Sequence, residues 1–279
     1  MKLNFLKIIN KFIIYFALII FLVLALFPIY WMLNTSFKND GEIYSIVPTF
    51  WPKRLYVQGY VELFTETNFL AFIKNSVFVS TSVTIISVFM SMLAAYAIAR
   101  IKFKGRSIAS KGIFYAYLMP KTLMYIPLYM LVNSLGLTDT LLGLILIYPT
   151  IVIPYSVWML ISYFESIPYE LEEASFIDGC TQWQSMFKII YPVAVPGIVS
   201  TLIIAFTLCW SDYLYAMINI TSNLKKTISL GLADMVTDDI YAWGKMAAGA
   251  VFSSVPILFL YIFANKYVES GLTTGAIKG

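Results

Sequence analysis

The chain has 279 residues, 60% of them hydrophobic and 12% charged, with a formal net charge of +4, no histidine and two cysteines. Soluble domains carry about 25% charged residues, so the composition excludes an ordinary soluble protein and points to the membrane. The lack of histidine removes the commonest general base and metal ligand. The cysteines form no metal or disulfide framework, and the basic residues sit at the ends of apolar runs instead of in a stripe, which argues against a nucleic-acid partner.

Lys2, Lys7 and Lys11 precede the first apolar run, Phe12–Leu33. It reaches the roughly 20 residues a spanning helix needs. No small-residue cleavage site follows, so it reads as a retained span and not as a signal peptide. The loop after it holds Pro48, Trp51, Pro52, Tyr56, Gly59 and Tyr60. It is expected to be partly ordered, with its rings at the headgroup level. Further apolar runs occupy Ser76–Ala99, Gly112–Asn133, Leu141–Ser162, Val193–Asn219 and Ala247–Tyr267, making six. Backbone in hydrocarbon must satisfy its own hydrogen bonds, so these runs should be helices, and the alternating strands of about ten residues expected of a barrel are missing. The predicted fold is all-α: a polytopic membrane protein with six transmembrane helices. Residues 1–70 form the first span and outer loop, 71–267 the transmembrane core, and 268–279 a tail.

Orientation follows from Lys and Arg. With the N-terminus inside, the inner segments hold eleven basic residues and the outer ones seven, four of these in the long loop Asn34–Asn75. Long loops weigh less in this rule. The densest cluster, Arg100-Ile101-Lys102-Phe103-Lys104-Gly105-Arg106, then lies in the cytoplasm, as do both termini. Lys121, in Met119-Pro120-Lys121-Thr122, falls within the third run. A charge at the bilayer centre costs about 3 kcal/mol or more. Lys121 therefore reads either as a structural contact or a break at Pro120, or as part of a solute path.

Between the fourth and fifth runs, Tyr163–Pro192 carries Glu165, Glu170, Glu172, Glu173 and Asp178 against Lys188. Pro168 suits a helix start, and the glutamates gather where the helix dipole favours negative charge. Gly179 can end that helix in the left-handed conformation. Thr181 and Gln184 form a T-x-x-Q capping box that opens a second helix, on which Trp183, Phe187 and Ile190 share an apolar face. The prediction is two short helices around a glycine corner. Leu171, Ala174, Ser175 and Asp178 give the first helix a small-residue face, which either admits a partner closely or packs on the chain's own spans. In the fifth run, Trp210-Ser211-Asp212-Tyr213 offers rings suited to sugar faces and polar groups suited to hydroxyls. Interfacial anchoring explains the same residues equally well. Tyr215 and Asn219 are weaker candidates. Cys180 and Cys209 read as small apolar residues.

The acidic loop also carries a family likeness. Glu173-Ala174-Ser175-Phe176-Ile177-Asp178-Gly179-Cys180, followed by Phe187, Ile190 and Pro192, resembles the EAA motif of ABC-importer membrane subunits, E-A-A-x-x-D-G-A. It departs at Ser175, Cys180 and Tyr191, changes that keep the shape. Ala95-Tyr96-Ala97-Ile98-Ala99-Arg100 with Phe103-Lys104-Gly105, Leu135-Gly136-Leu137-Thr138-Asp139-Thr140, and the end Gly271-Leu272-Thr273-Thr274-Gly275-Ala276-Ile277-Lys278-Gly279 resemble further family segments. The last is similar to the tail of the carbohydrate branch, the MalG-like binding-protein-dependent inner membrane components. The likeness runs over about residues 12–279.

The resemblance implies a permease subunit of an ATP-driven sugar importer in a prokaryotic inner membrane. Glu173, Ala174, Asp178 and Gly179 would contact an ATPase subunit, with Ala276, Ile277, Lys278 and Gly279 as second contacts. Lys121, Trp210, Asp212 and Tyr213 remain candidates for the solute path. The implied partners are an ABC ATPase dimer, a second homologous permease, an extracytoplasmic sugar-binding protein and membrane lipid. No cofactor is expected on this chain. It lacks G-x-x-x-x-G-K-[ST], so ATP and Mg belong to the ATPase, and the chain is not expected to be an enzyme. Another polyol or a glycerol-phosphate-like solute is the alternative cargo. An ion-coupled secondary transporter would need more ionisable residues in the spans and inverted repeats. An intramembrane enzyme would need catalytic groups that the spans lack.

Overall fold

The computed structural model describes the backbone of residues 2–236 and 242–276 and the side chains of 10–236 and 242–264. Among the described residues every regular element is a helix. In chain order these are α1 (Lys2–Ser36), α2 (Asp40–Ile43), α3 (Gln58–Thr65), α4 (Phe69–Arg100), α5 (Arg106–Leu118), α6 (Lys121–Ser134), α7 (Leu141–Ile147) and α8 (Pro149–Ser166). There follow α9 (Glu170–Ile177), α10 (Gln182–Ser185), α11 (Tyr191–Val193), α12 (Val195–Trp210), α13 (Leu214–Asn219), α14 (Ile228–Ala233) and α15 (Trp243–Ala276).

Among the described residues, four helical stretches are long and apolar enough to cross a bilayer: Asn10–Ser36, Phe69–Arg100, Leu141–Ser166 and Trp243–Ala264. A fifth forms if the pair Gln182–Val193 and Val195–Trp210, bent by 77°, counts as one. The third run, Gly112–Asn133, is two helices, α5 and α6, divided at Pro120. Met119 is extended (ψ 130°) between them, because the ring of Pro120 crowds an α conformation at the preceding residue. The fifth segment is also divided, at Ser211-Asp212-Tyr213. The bend before α12 falls at Ala194, flanked by Pro192 and Pro196, neither of which has an N–H to donate to the helical ladder. The second span starts at Phe69, earlier than Ser76, and α15 runs beyond both ends of Ala247–Tyr267.

Backbone contacts divide the chain into two units, Met1–Phe69 with Leu232–Ser254, and Leu70–Gly231 with Val255–Gly279. In the first, the loop after the first span carries α2 and α3. Lys38 is buried, donates to the Thr49 carbonyl and lies 4.9 Å from the Trp31 ring centroid. Lys245 Nζ pairs with Glu66 at 2.6 Å and Glu62 at 3.6 Å, beside an edge-to-face cluster of Phe64, Phe69 and Phe252. No residue in the apolar window of the first span is buried.

The second unit holds two apolar cores. One gathers Val79, Val83, Leu144, Tyr148, Cys209 and Tyr215. The other gathers Ala95, Tyr96, Leu160, Phe164, Ile190 and Tyr191. The second core lies under the acidic hairpin and fixes where it sits.

Candidate coupling surface and transport path

The hairpin forms for the reasons its residues predict. Glu170, Glu172 and Glu173 occupy the first turn of α9. Its C-terminus is a Schellman motif: Cys180 N–H donates to Ser175 O at 2.9 Å and Gly179 N–H to Phe176 O at 3.1 Å. Gly179 has φ +82° and open space around a would-be Cβ, so glycine is required by backbone conformation and not by crowding. The capping box closes with Thr181 N–H to Gln184 Oε1 at 2.8 Å and Gln184 N–H to Thr181 Oγ1 at 3.3 Å. A π-helical stretch, Met186–Ile190, then leads into α11.

The small-residue face splits in two. Ser175 turns inward, is buried, donates to Glu172 O at 2.7 Å and lies 2.7 Å from the buried Ser185 hydroxyl. It is small because it seals the two arms together, so at this position the face packs inward instead of admitting a partner. Glu173, Ala174, Asp178 and Gly179 are exposed. Around them Ile177 is 86% and Trp183 65% exposed, while Ile190 lies in the core. The apex thus presents carboxylates and large apolar side chains together.

What holds the hairpin in place is the neighbouring glutamate. Glu172 is buried and reaches the end of α4, where Tyr96 Oη–H donates to its Oε1 and Arg100 Nε lies 3.9 Å from its Oε2. Arg100 Nη2 donates to the carbonyls of Phe164 and Ile167, each at 2.6 Å. The guanidinium lies 4.4 Å from the centroid of the Tyr169 ring, and Tyr169 Oη–H donates to Ala99 O at 2.7 Å. Residues from α4, the end of α8 and the start of α9 therefore converge on one buried ion pair. The sequence offered Arg100 as a topology marker and Glu172 as one of several acids. Nothing in their spacing joins them.

The path candidates fall in different surroundings. Lys121 is exposed and opens α6. It lines a cavity of about 580 Å³ with Tyr117, Met124, Tyr155, Leu208 and Tyr215. Asp212 is half-buried in the break between α12 and α13, accepting from Tyr148 Oη–H at 3.1 Å and Tyr215 N–H at 3.0 Å. The Tyr215 ring meets Tyr125 edge-on at 4.6 Å. Trp210 is buried and stacks on Phe206 at 5.4 Å, whereas Tyr213 is exposed. Asn219 is buried and donates to Tyr215 O at 2.9 Å. Ala276 is the last residue of α15, and Ile277, Lys278 and Gly279 lie outside the described residues.

At the opposite end of the spans, the turn Leu135–Thr140 builds a second clasp. Gly136 (φ +68°) closes a Schellman turn after α6, and Thr140 caps α7. Asp139 accepts from Thr221 N–H at 2.9 Å, Ser222 N–H at 2.8 Å, the Ser222 hydroxyl and Lys225 Nζ at 3.0 Å. These bonds, led by the Ser222 hydroxyl, hold its carboxyl well below the usual carboxylate range.

Comparison with known proteins agrees with this geometry. The computed fold superposes on a bacterial ABC transporter involved in the import of the acidic polysaccharide alginate, with a TM-score of 0.79, 21% identity, and coverage of 93% of this chain and 96% of the other. The inner membrane ABC transporter permease protein YcjP of Escherichia coli is 36% identical over 95% of both chains. The trehalose/maltose transport system permease protein MalG of Thermococcus litoralis is 30% identical over 98% of this chain and 99% of its own. The sulfoquinovosyl glycerol transport system permease protein SmoH of Agrobacterium fabrum is 32% identical over 95% of this chain and 93% of its own. Residues 69–273, which hold the hairpin, the buried ion pair and the Asp139 clasp, match one family along their length, and the chain belongs to the binding-protein-dependent transport system inner membrane components.

Proposed function

We propose that the chain is the permease subunit of an ATP-driven carbohydrate importer, with six spans, both termini in the cytoplasm, and the hairpin as its seat on a separate ATPase dimer. The observation that carries this is the exposed apex, Glu173, Ala174, Ile177, Asp178 and Gly179, on a hairpin whose interior is fixed to the core. Nucleotide closure of the ATPase moves the seated hairpin, and the spans tilt as rigid bodies to open the path alternately to each side. ATP and Mg bind on the ATPase. This chain binds neither and performs no hydrolysis. Residues 276–279 make the second contact. A homologous permease completes the path, lipid surrounds it, and an extracytoplasmic binding protein delivers the cargo.

Sugars as cargo are supported by the names of the relatives and by the cavity at Lys121. Its walls are apolar and aromatic with few polar groups, the usual character of a small-molecule site. The broken third and fifth spans fit the same picture, because irregular backbone is tolerated at membrane depth where protein or a cavity surrounds it. A glycerol-phosphate-like solute is the second reading, favoured because Lys121 is the one charged residue among those that line the cavity.

The test is purification of the intact complex through a tag on this chain. Glu173→Lys combined with Asp178→Lys should strip the ATPase subunit and abolish uptake while leaving the melting temperature of the chain unchanged. Full retention of the ATPase refutes the seat. Uptake that survives ATP depletion and collapses with the ion gradient would instead make the protein a secondary transporter.

A further inference from the structure

From the buried cluster beneath the hairpin we infer that Tyr96, Arg100 and Glu172 are positioning residues that make the acidic hairpin and the inner end of the second span one rigid body. The inference rests on the hairpin being the seat of an ATPase, and adds which span takes the stroke. Side chains of Arg100 and Glu172 are 0% and 6% exposed. A buried ion pair adds little stability over an apolar isostere, and registry is its best-attested use. Here the pair joins segments far apart in sequence. Arg100 takes two carbonyls from the end of α8, Glu172 takes the Tyr96 hydroxyl from α4, and Tyr169 closes the ring through Ala99 O. Each bond crosses between α4 and the chain leading into the hairpin. The Ser175–Ser185 contact ties the far arm to the near one. A hairpin held this way has no soft joint at its root, so displacement of the apex reaches α4 undiminished.

Arg100 Nε and Nη1 are buried without hydrogen-bond partners. The 3.9 Å from Nε to Glu172 is long for a charge-assisted bond, which runs at about 2.8 Å. The frame is therefore held by the hydrogen bonds to the carbonyls of Phe164, Ile167 and Ala99, with the ion pair setting their register.

Spin labels at Lys102, two residues past the end of α4, and Lys188, on the far arm of the hairpin and outside the seat, both exposed, with Cys180 and Cys209 replaced by serine, report the separation of the end of α4 and the hairpin in the intact complex. The wild-type distance distribution should be narrow and the same with and without trapping by ATP and orthovanadate. Glu172→Gln should broaden it and let it move on trapping. It should also cut cargo moved per ATP hydrolysed by roughly tenfold, within the usual span of coupling between sites. Tyr96→Phe, which removes one hydroxyl and no charge, should give the same change in smaller measure and serves if Glu172→Gln fails to fold. A wild-type separation that shifts by a helical turn, about 5 Å, on trapping overturns the rigid joint, as do variants as narrow and as fixed as wild type. The ATPase subunit present in each sample is read separately. Its absence from the wild-type complex counts against the seat, whereas its presence with a moving hairpin counts against the joint alone.

Discussion

The two ends of the spans are each closed by one carboxylate, and the two are built in opposite ways. At the acidic hairpin, Glu172 faces a guanidinium in a dry setting where Arg100 keeps two unpaired donors. At the turn Leu135–Thr140, Asp139 is partly exposed, accepts from two backbone N–H groups and a hydroxyl, and pairs with a half-exposed Lys225. Burial makes the Arg100–Glu172 pair all-or-nothing, since removing one partner strands a charge. Solvent and backbone donors make the Asp139 clasp divisible, since any one bond can pass to water. One fold thus uses charge where geometry must not give, and hydrogen bonding where it only has to close a turn.

Three substitutions test this contrast. Arg100→Met should cost the most, about 3–5 kcal/mol, by leaving Glu172 buried and unpaired. Thermal unfolding in detergent measures it, and a loss below about 1 kcal/mol, the worth of an exposed pair, would erase the distinction. Gly143→Ala acts on the frame of the Asp139 clasp. A Cβ there would stand 2.6 Å from Leu137 O and 3.0 Å from Val132 Cγ1, so the turn before α7 must shift, at about 1–3 kcal/mol. Asp139→Asn should have the smallest effect, because the amide oxygen still accepts. The carboxyl is depressed in the folded state, so its contribution is complete above the unfolded value near pH 3.9 and fades as pH falls below it. The melting-temperature gap between wild type and Asp139→Asn should therefore be widest at neutral pH and close in acid. A gap that widens in acid would reverse the assigned sign. Added salt should narrow this gap and leave that of Arg100→Met in place, since exposed pairs are screened and buried ones much less so.

Local chemistry made much of this readable beforehand. The Gly179 corner and the Thr181–Gln184 box follow from residue identity, because each satisfies backbone groups within a few positions. The break at Pro120 is equally local. The inward turn of Ser175 was not readable, since a small residue suits a sealed joint and an open face alike. Nor was the division of labour between Glu172 and Glu173. Adjacent residues on a helix point about 100° apart, and which one meets Arg100 depends on how α9 leans against α4, a matter of tertiary packing. The 77° bend before α12 has its prolines in plain view, but the angle is set by the core containing Ile190, Tyr191 and Ala194.

Ser175 and Glu172 face inward while Glu173, Ala174 and Asp178 face outward, on helical turns of the same short segment. The hairpin therefore keeps its architecture and its recognition in separate sets of letters. Its outer letters can be rewritten one at a time without unfolding the element that bears them. Related systems could diverge in what they accept at this corner while sharing one scaffold, and exchanging only the outward positions between two relatives should exchange their partners.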